Sequence, residues 1–353
     1  MRYANVSIAS FGYQLPPRVV TSEALEDSLA PLYTRLKLRP GRLELMSGVR
    51  ERRFWEQGQP PSAASVRSAR EAIERAGLTP DRIQALVHTS VCRDYLEPAT
   101  ASIVAGELGL ARDAFVFDLS NACLGFLNGL LTVANLIELG QIEAAVVVAT
   151  EDGAPLVEAT IRDLLAQAEE PVLDRKAIKP AFASLTIGSG SVAAVVTKSS
   201  LGPATRPLLG GVVRQSTEHS HLCRSAPDRG FADPQAAPLM ETDSEAMLHA
   251  GCALAAETWG ALKDELGWSQ TSPSRVFTHQ VGSAHRRLLF GSLGLDEALD
   301  YPTLPTWGNV GSVSLPLSLA LAADAGALAP GDTLALLGIG SGLNCVMLGA
   351  TWA

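Results

Sequence analysis

Residues 115–139 read FVFDLSNACLGFLNGLLTVANLIEL, and residues 303–326 read TLPTWGNVGSVSLPLSLALAADAG. Each stretch is an extended run, then a short polar turn holding asparagine and glycine, then an apolar run long enough for a helix. Working outward, Ala85 to Leu110 reads as strand, polar loop and helix, closing on Glu-Leu-Gly-Leu; Val276 to Leu295 does the same and closes on Ser-Leu-Gly-Leu. Ala144 to Gly153 resembles Thr333 to Gly342. The order is the same in both copies, and it places Cys123 and Asn309 at equivalent positions.

Strand-like runs at 85–88, 144–149 and 191–196 alternate with helix-like runs, which argues for α/β layers. The helical periodicity is clearest over 61–76 and 242–266. The chain therefore reads as two α/β units, residues 1–205 and 206–353, packed about a pseudo-dyad. Both helix starts would then face one central pocket. Two segments interrupt the repeat. Residues 154–183 mix charged and apolar side chains and read as an insertion that serves as a lid or faces a dimer partner. Residues 214–237 are rich in His, Ser, Pro and Asp and read as loop.

Bulk properties narrow the classes. With 353 residues, 47% of them apolar and 18% charged, the chain can bury a large core. A net charge of -9 with no basic block makes nucleic acid an unsuitable partner. It leaves room for a CoA or carrier-protein ligand met by a local basic patch. The five cysteines are scattered with no CxxC pair, which argues against structural zinc and for a reduced, cytoplasmic setting. No signal-peptide core is expected at the N-terminus, and no run of eighteen apolar residues is present to cross a membrane.

Three segments carry chemistry. In Asn121-Ala-Cys-Leu-Gly-Phe126, the strand 115–119 reads as buried and Cys123 falls at the start of an apolar helix. Unpaired N–H groups and the helix dipole favour an anion there, so a thiol can fall to a pKa of roughly 3.5–7.5. Gly125 would let the backbone approach an acyl group. Alternatively, Cys123 is an inert core cysteine. His279, in Thr278-His-Gln280, ends a strand at the mouth of an α/β pocket and can serve as base or oxyanion donor. A satisfied structural histidine is the competing reading, and His88 ends the equivalent strand in the first half. Asn309, in Trp307-Gly-Asn-Val-Gly311, is either a helix cap in a tight turn or an amide that holds an enolate oxygen.

Two further candidates are weaker. Gly338-Ile-Gly-Ser-Gly342 is half of a dinucleotide fingerprint, but no acidic residue follows at the required distance, so a nicotinamide site is rejected. Gly342 can instead lend a backbone N–H to an oxyanion hole. Glu97, on the loop after the strand ending near His88, is either solvated or, set in an apolar site, a base able to take a proton from carbon.

Taken together, Met46-Ser-Gly-Val-Arg-Glu-Arg-Arg53, Ala122-Cys-Leu-Gly-Phe126, Thr278-His-Gln280 and Gly308-Asn-Val-Gly311 resemble the thiolase superfamily over nearly the whole chain, in its ketoacyl-ACP synthase III branch. Thr89-Ser-Val-Cys-Arg-Asp-Tyr-Leu-Glu-Pro98 and Gly338-Ile-Gly-Ser-Gly-Leu-Asn-Cys345 are most similar to the OleA family, the acyl-CoA condensing enzymes of olefin biosynthesis. The resemblance implies a homodimer with a five-layer α-β-α-β-α fold, and a non-decarboxylative Claisen condensation of two fatty acyl-CoA molecules. It also implies CoA thioesters as substrates and no cofactor, a catalytic Cys123, His279 and Asn309, and a Glu97 that reaches into the partner's pocket. Downstream hydrocarbon-pathway enzymes are further expected partners. The segment Ile187-Gly-Ser-Gly-Ser191 departs from the Phe-Gly-Asp-Gly-Ala usual in synthase III sequences. Losing CO2 from malonyl-ACP needs no base at carbon, whereas non-decarboxylative condensation does, and Glu97 answers that need. The alternatives are a decarboxylative 3-oxoacyl-ACP synthase III, an acyltransferase or thioesterase that forms no carbon–carbon bond, and a non-catalytic thiolase-fold subunit.

Overall fold

The computed structural model describes residues 1–173, 176, 179–201, 206–225 and 237–353. In chain order its strands are β1 (Val6–Gln14), β2 (Arg18–Thr21), β3 (Glu51–Phe54), β4 (Ala85–His88), β5 (Phe115–Asp118), β6 (Ala144–Glu151), β7 (Gly190–Lys198), β8 (Leu208–Gln215), β9 (Cys223–Ser225), β10 (Met240–Thr242), β11 (Arg275–Thr278), β12 (Thr333–Gly340) and β13 (Asn344–Thr351). The first large sheet has the order β1-β7-β6-β4-β5 and the second β11-β12-β13-β8; β2 pairs with β3 and β9 with β10 in two small sheets.

The two large sheets correspond strand for strand. In the first, β4 runs parallel to β6, and β7 and then β1 follow antiparallel. In the second, β11 runs parallel to β12, and β13 and then β8 follow antiparallel. Among the described residues, the counterpart of β5 is missing as a strand. Only a single parallel bridge, Val276 to Asp300, stands in its place. The extended run expected from Thr303 is instead one helical turn, Leu304–Trp307. Pro302 and Pro305 lack the N–H that a ladder needs, so the segment coils.

Period-two alternation distributes the strands between layers. In β6, Ala145, Val147 and Ala149 pack inward with Leu130, Val133 and Ala134 of the helix Gly125–Glu138; in β12, Leu334 and Leu336 pack on Leu315, Leu319 and Ala322 of the helix Ser314–Asp324. These two helices and the facing strands form one core, so the helices lie between the sheets. Ala144, Val146 and Val148 point the other way, onto the helices Pro61–Arg75 and Thr100–Leu108. Ala335, Leu337 and Ile339 point onto the helices Ser244–Leu266 and Ser283–Leu293. The result is five layers, α-β-α-β-α. Truncating a central side chain such as the buried Leu317 to alanine costs about 2–5 kcal/mol in a core of this kind.

One strand differs from its reading. The 115–119 run is not buried: β5 is the edge of its sheet and Phe115 is 53% exposed. The insertion at 154–183 begins with the helix Ala154–Glu169, whose Val157 and Leu164 join a fourth core with Leu29 and Leu32. Positions 174, 175, 177 and 178 of that segment, 226–236 of the 214–237 loop, and the boundary at residue 205 lie outside the described residues. Among the described residues, no helix is long and apolar enough to cross a membrane.

Candidate active site

Cys123 sits in a 3-10 turn, Ala122–Leu124, wedged between β5 and the central helix. The turn is sharp: Ala122 holds a left-handed φ of 45° without being glycine. It can lie so deep because Gly125 has no side chain; a Cβ there would stand 2.1 Å from the Thr89 carbonyl oxygen. Gly125 therefore serves helix-to-strand packing, and the role of admitting an acyl group, expected from the sequence, is not needed to explain it. Gly338 and Gly340 act similarly from the far side, because a Cβ at either would meet Leu124 within 3 Å. The glycine run after β12 thus makes room for the cysteine turn.

The thiol is not activated in the resting protein. Burial pushes it up to about 12, helped by the nearby Glu151 and Cys223, while the backbone N–H groups of Cys123 and Ser341 pull the other way without prevailing. The expectation of a lowered pKa is corrected for a physical reason. The helix start offers partial positive charge, but the sulfur is desolvated by the surrounding protein and stands near a carboxyl group.

His279 follows β11, and its backbone N–H reaches the Leu337 carbonyl of β12 at 3.2 Å. The ring is buried, and its Nδ1 has no partner among the described residues. Burial, with His285 nearby, lowers its pKa to about 3, so the imidazole is neutral. Gln280 fixes the loop: its Oε1 accepts from the N–H groups of Thr303 and Leu304 at 2.8 Å each, and its Nε2 donates to the Tyr301 carbonyl at 3.0 Å. His88, at the equivalent strand end, is a structural residue. Its Nε2 lies 3.2 Å from Ser65 Oγ and 3.4 Å from Ser90 Oγ in the core.

Asn309 is held on both sides by the start of the segment that departs from the usual synthase pattern and the residue before it. Its N–H donates to Thr186 O at 2.9 Å and its carbonyl accepts from Gly188 N–H at 2.8 Å. Its side-chain Oδ1 caps the following turn by accepting from Gly311 N–H at 3.0 Å. The amide oxygen is thus occupied, and the Nδ2 donors have no partner among the described residues. The cap reading holds through the oxygen, and the nitrogen stays available as a donor.

The cysteine turn packs against Gly340–Ser341 at the end of β12 and against the turn Gly311–Val313 that follows Asn309. His279 stands on the strand next to β12. The Cys123 and Asn309 turns thus meet at the end of β12, and His279 follows the neighbouring strand. Gly342 takes a left-handed φ of 79° in the same turn. Its neighbour Ser341 supplies the N–H that faces the sulfur.

Glu97 is not part of this convergence. It is exposed on the 89–99 loop, beside Tyr95, which is 62% exposed. Sequence reading missed Glu151 altogether. Its carboxylate is buried at the end of β6 and accepts from Val91 N–H at 3.1 Å, Cys92 N–H at 3.2 Å and Ser312 Oγ at 2.7 Å. Burial raises its pKa against those donors. A glutamate ending an otherwise apolar strand, Ala144-Ala-Val-Val-Val-Ala-Thr-Glu151, was the available signal. Among the described residues no cluster of His, Cys, Asp and Glu could hold a metal ion.

Comparison with known proteins shows what the whole chain is similar to. Residues 117–167 match the family described as 3-oxoacyl-[acyl-carrier-protein (ACP)] synthase III, and residues 264–352 match its C-terminal part. The chain is 40% identical to an acyl-CoA:acyl-CoA alkyltransferase of Shewanella oneidensis and 37% identical to one of Xanthomonas campestris, each over 100% of both chains. It superposes with a TM-score of 0.91 and 36% identity on a cysteine-to-serine variant of Xanthomonas campestris OleA with bound lauric acid and lauroyl-CoA, covering 99% of this chain and 100% of that one.

Proposed function

The chain belongs to the acyl-CoA:acyl-CoA alkyltransferase (OleA) family of the thiolase superfamily, and from that membership we propose a mechanism for the head-to-head condensation of two fatty acyl-CoA molecules on its own residues. The reading is supported by the packing of the Cys123 turn against the turn that follows Asn309 and against the end of β12, the strand beside the one that leads into His279. The enzyme is a condensing acyltransferase. Its reaction is a non-decarboxylative Claisen condensation, giving a β-keto thioester or acid.

The resting thiol is protonated, so a base must take its proton as sulfur attacks. Neutral His279 has a ring nitrogen free to take it, provided that a bound acyl-CoA brings the two pKa values closer than they are in the resting protein. Cys123 sulfur bonds to the first acyl carbon, the carbon–sulfur bond to CoA breaks, and the leaving thiolate departs with the proton from His279. The carbonyl oxygen, negative in the transition state, rests on the Cys123 N–H and on the Ser341–Gly342 turn. A second acyl-CoA follows. Glu97 of the partner subunit removes its α-proton, while the His279 ring and the Asn309 Nδ2 donors hold the enolate oxygen. The new carbon–carbon bond forms at the acyl carbon, the carbon–sulfur bond to Cys123 breaks, and Glu97 returns its proton to the sulfur.

The partner subunit is part of the proposal. Glu97 is exposed in the single chain, so a pocket that encloses it would have to come from a second copy. Edge strand β5 with Phe115, and the loop with Val91, Tyr95 and Leu96, offer an open ladder and apolar cover to a second copy. A cytoplasmic location fits the five free thiols. No cofactor enters the scheme, and enzymes that consume the β-keto product are candidate partners.

The test is mass spectrometry after incubation with one long-chain acyl-CoA. An acyl adduct on Cys123 and a β-keto product of two acyl units are expected, with neither formed by Cys123→Ala. A product formed only when malonyl-ACP is supplied, with CO2 released, would overturn the reaction in favour of the decarboxylative one.

A further inference from the structure

We propose that Glu151 is a positioning residue for the condensation step, tying the turn that carries Asn309 to the loop that carries Glu97. Its Oε1 accepts from Val91 N–H and from Ser312 Oγ, and its Oε2 accepts from Cys92 N–H. Val91 and Cys92 open the loop leading to Glu97. Ser312 stands three residues after Asn309, in the turn that Asn309 itself caps. One carboxyl group therefore spans two segments that share no sequence neighbourhood. The main chain of Glu151 is anchored as well, since Trp55 Nε1 donates to its carbonyl at 3.0 Å.

Gly311 shows that the approach is built in. A Cβ at that position would lie 3.3 Å from the Glu151 Oε1 and Cγ atoms, and φ is +54°. A side chain there would press on the carboxyl group and sit at a left-handed φ, so glycine lets the turn close on it without strain. Glu151 also acts on the nucleophile from its place in the core. The titratable groups around it are Cys92, Cys123 and the adjacent Asp152, and those around Cys123 are Glu151 and Cys223. Negative charge on Glu151 opposes negative charge on the sulfur.

The inference rests on the condensation reading above, and the two can fail separately. Glu151→Gln keeps the shape but replaces one acceptor oxygen with a donor, so whichever way the amide turns, one N–H or O–H faces another. In purified protein, acyl-enzyme formation from one acyl-CoA is followed by mass, and condensation by product. The condensation rate relative to the acylation rate is expected to fall about tenfold. The pH midpoint for iodoacetamide alkylation of Cys123 is expected to drop. Each unit gives about threefold faster alkylation at pH 8, because the tenfold gain in thiolate is partly offset by lower nucleophilicity. A purely structural role would lower both half-reactions together and leave the alkylation profile in place. A condensation-to-acylation ratio at the wild-type value overturns the proposal, whatever the profile does. If Glu151→Gln does not fold, Ser312→Ala cuts the tie alone; it should lower the same ratio by about threefold, and an unchanged ratio again overturns the proposal. Wild-type protein that never acylates Cys123 would instead defeat the condensation reading.

Discussion

His279 is held neutral by burial, and this has a measurable sign. Its pKa is lowered to about 3 in the folded chain from 6.5. Between those values the unfolded chain binds the proton and the folded chain does not. The stability His279 contributes is therefore present above pH 6.5 and is lost as pH falls toward 3, at up to about 1.4 kcal/mol per pH unit. Denaturant unfolding of wild type and His279→Asn at pH 7.5 and 5.5 checks this: the wild type should lose about 1 kcal/mol more than the variant on acidification. An equal loss in both would mean the ring is protonated in the folded state. At this scale the residue types were legible and their electrostatics were not. Cys123, His279 and Asn309 stood out by context, because strand-turn-helix grammar is local. The thiol's raised pKa depends on Glu151, which is 28 positions away and arrives only through the pairing of β6 with β4.

The central helix Gly125–Glu138 touches β4 through glycine, and that closeness sets how deep Cys123 lies. Gly125→Ala would put a methyl group 2.1 Å from the Thr89 carbonyl oxygen, which is main chain and cannot swing aside. We expect a loss of about 3 kcal/mol or more, or no soluble protein, read by thermal unfolding. Gly106→Ala, where a Cβ meets nothing within 4 Å, should be neutral or slightly stabilising in the same assay. Element types followed the sequence closely where periodicity was strong: the 61–76 run is the helix Pro61–Arg75, and the 144–149 run is strand β6. Two readings failed for reasons outside local pattern. Phe115-Val-Phe is apolar yet forms a sheet edge, with Phe115 exposed, because strand position within a sheet is not set by local pattern. Residues 303–307 coil because prolines at 302 and 305 remove donors that the repeat would require.

Across the whole molecule the duplication was visible in order and spacing, whereas the stacking of sheets became plain only from which strand faces share a core. The open edge of β5 predicts the assembly. Phe115→Asp should convert a dimer to monomers in analytical ultracentrifugation, and activity should fall with it if Glu97 works across the interface. The lone position of Glu97 on its loop has one more consequence. If Glu97 completes the site of a second copy, a protein lacking only the sulfur and a protein lacking only that carboxylate would each be inert, with their defects on opposite halves of a shared catalytic unit. Co-expressed, Cys123→Ala and Glu97→Gln chains should rescue one another, because a hybrid pair rebuilds one intact centre out of two. Random pairing sets the recovered turnover at about a quarter of the native value.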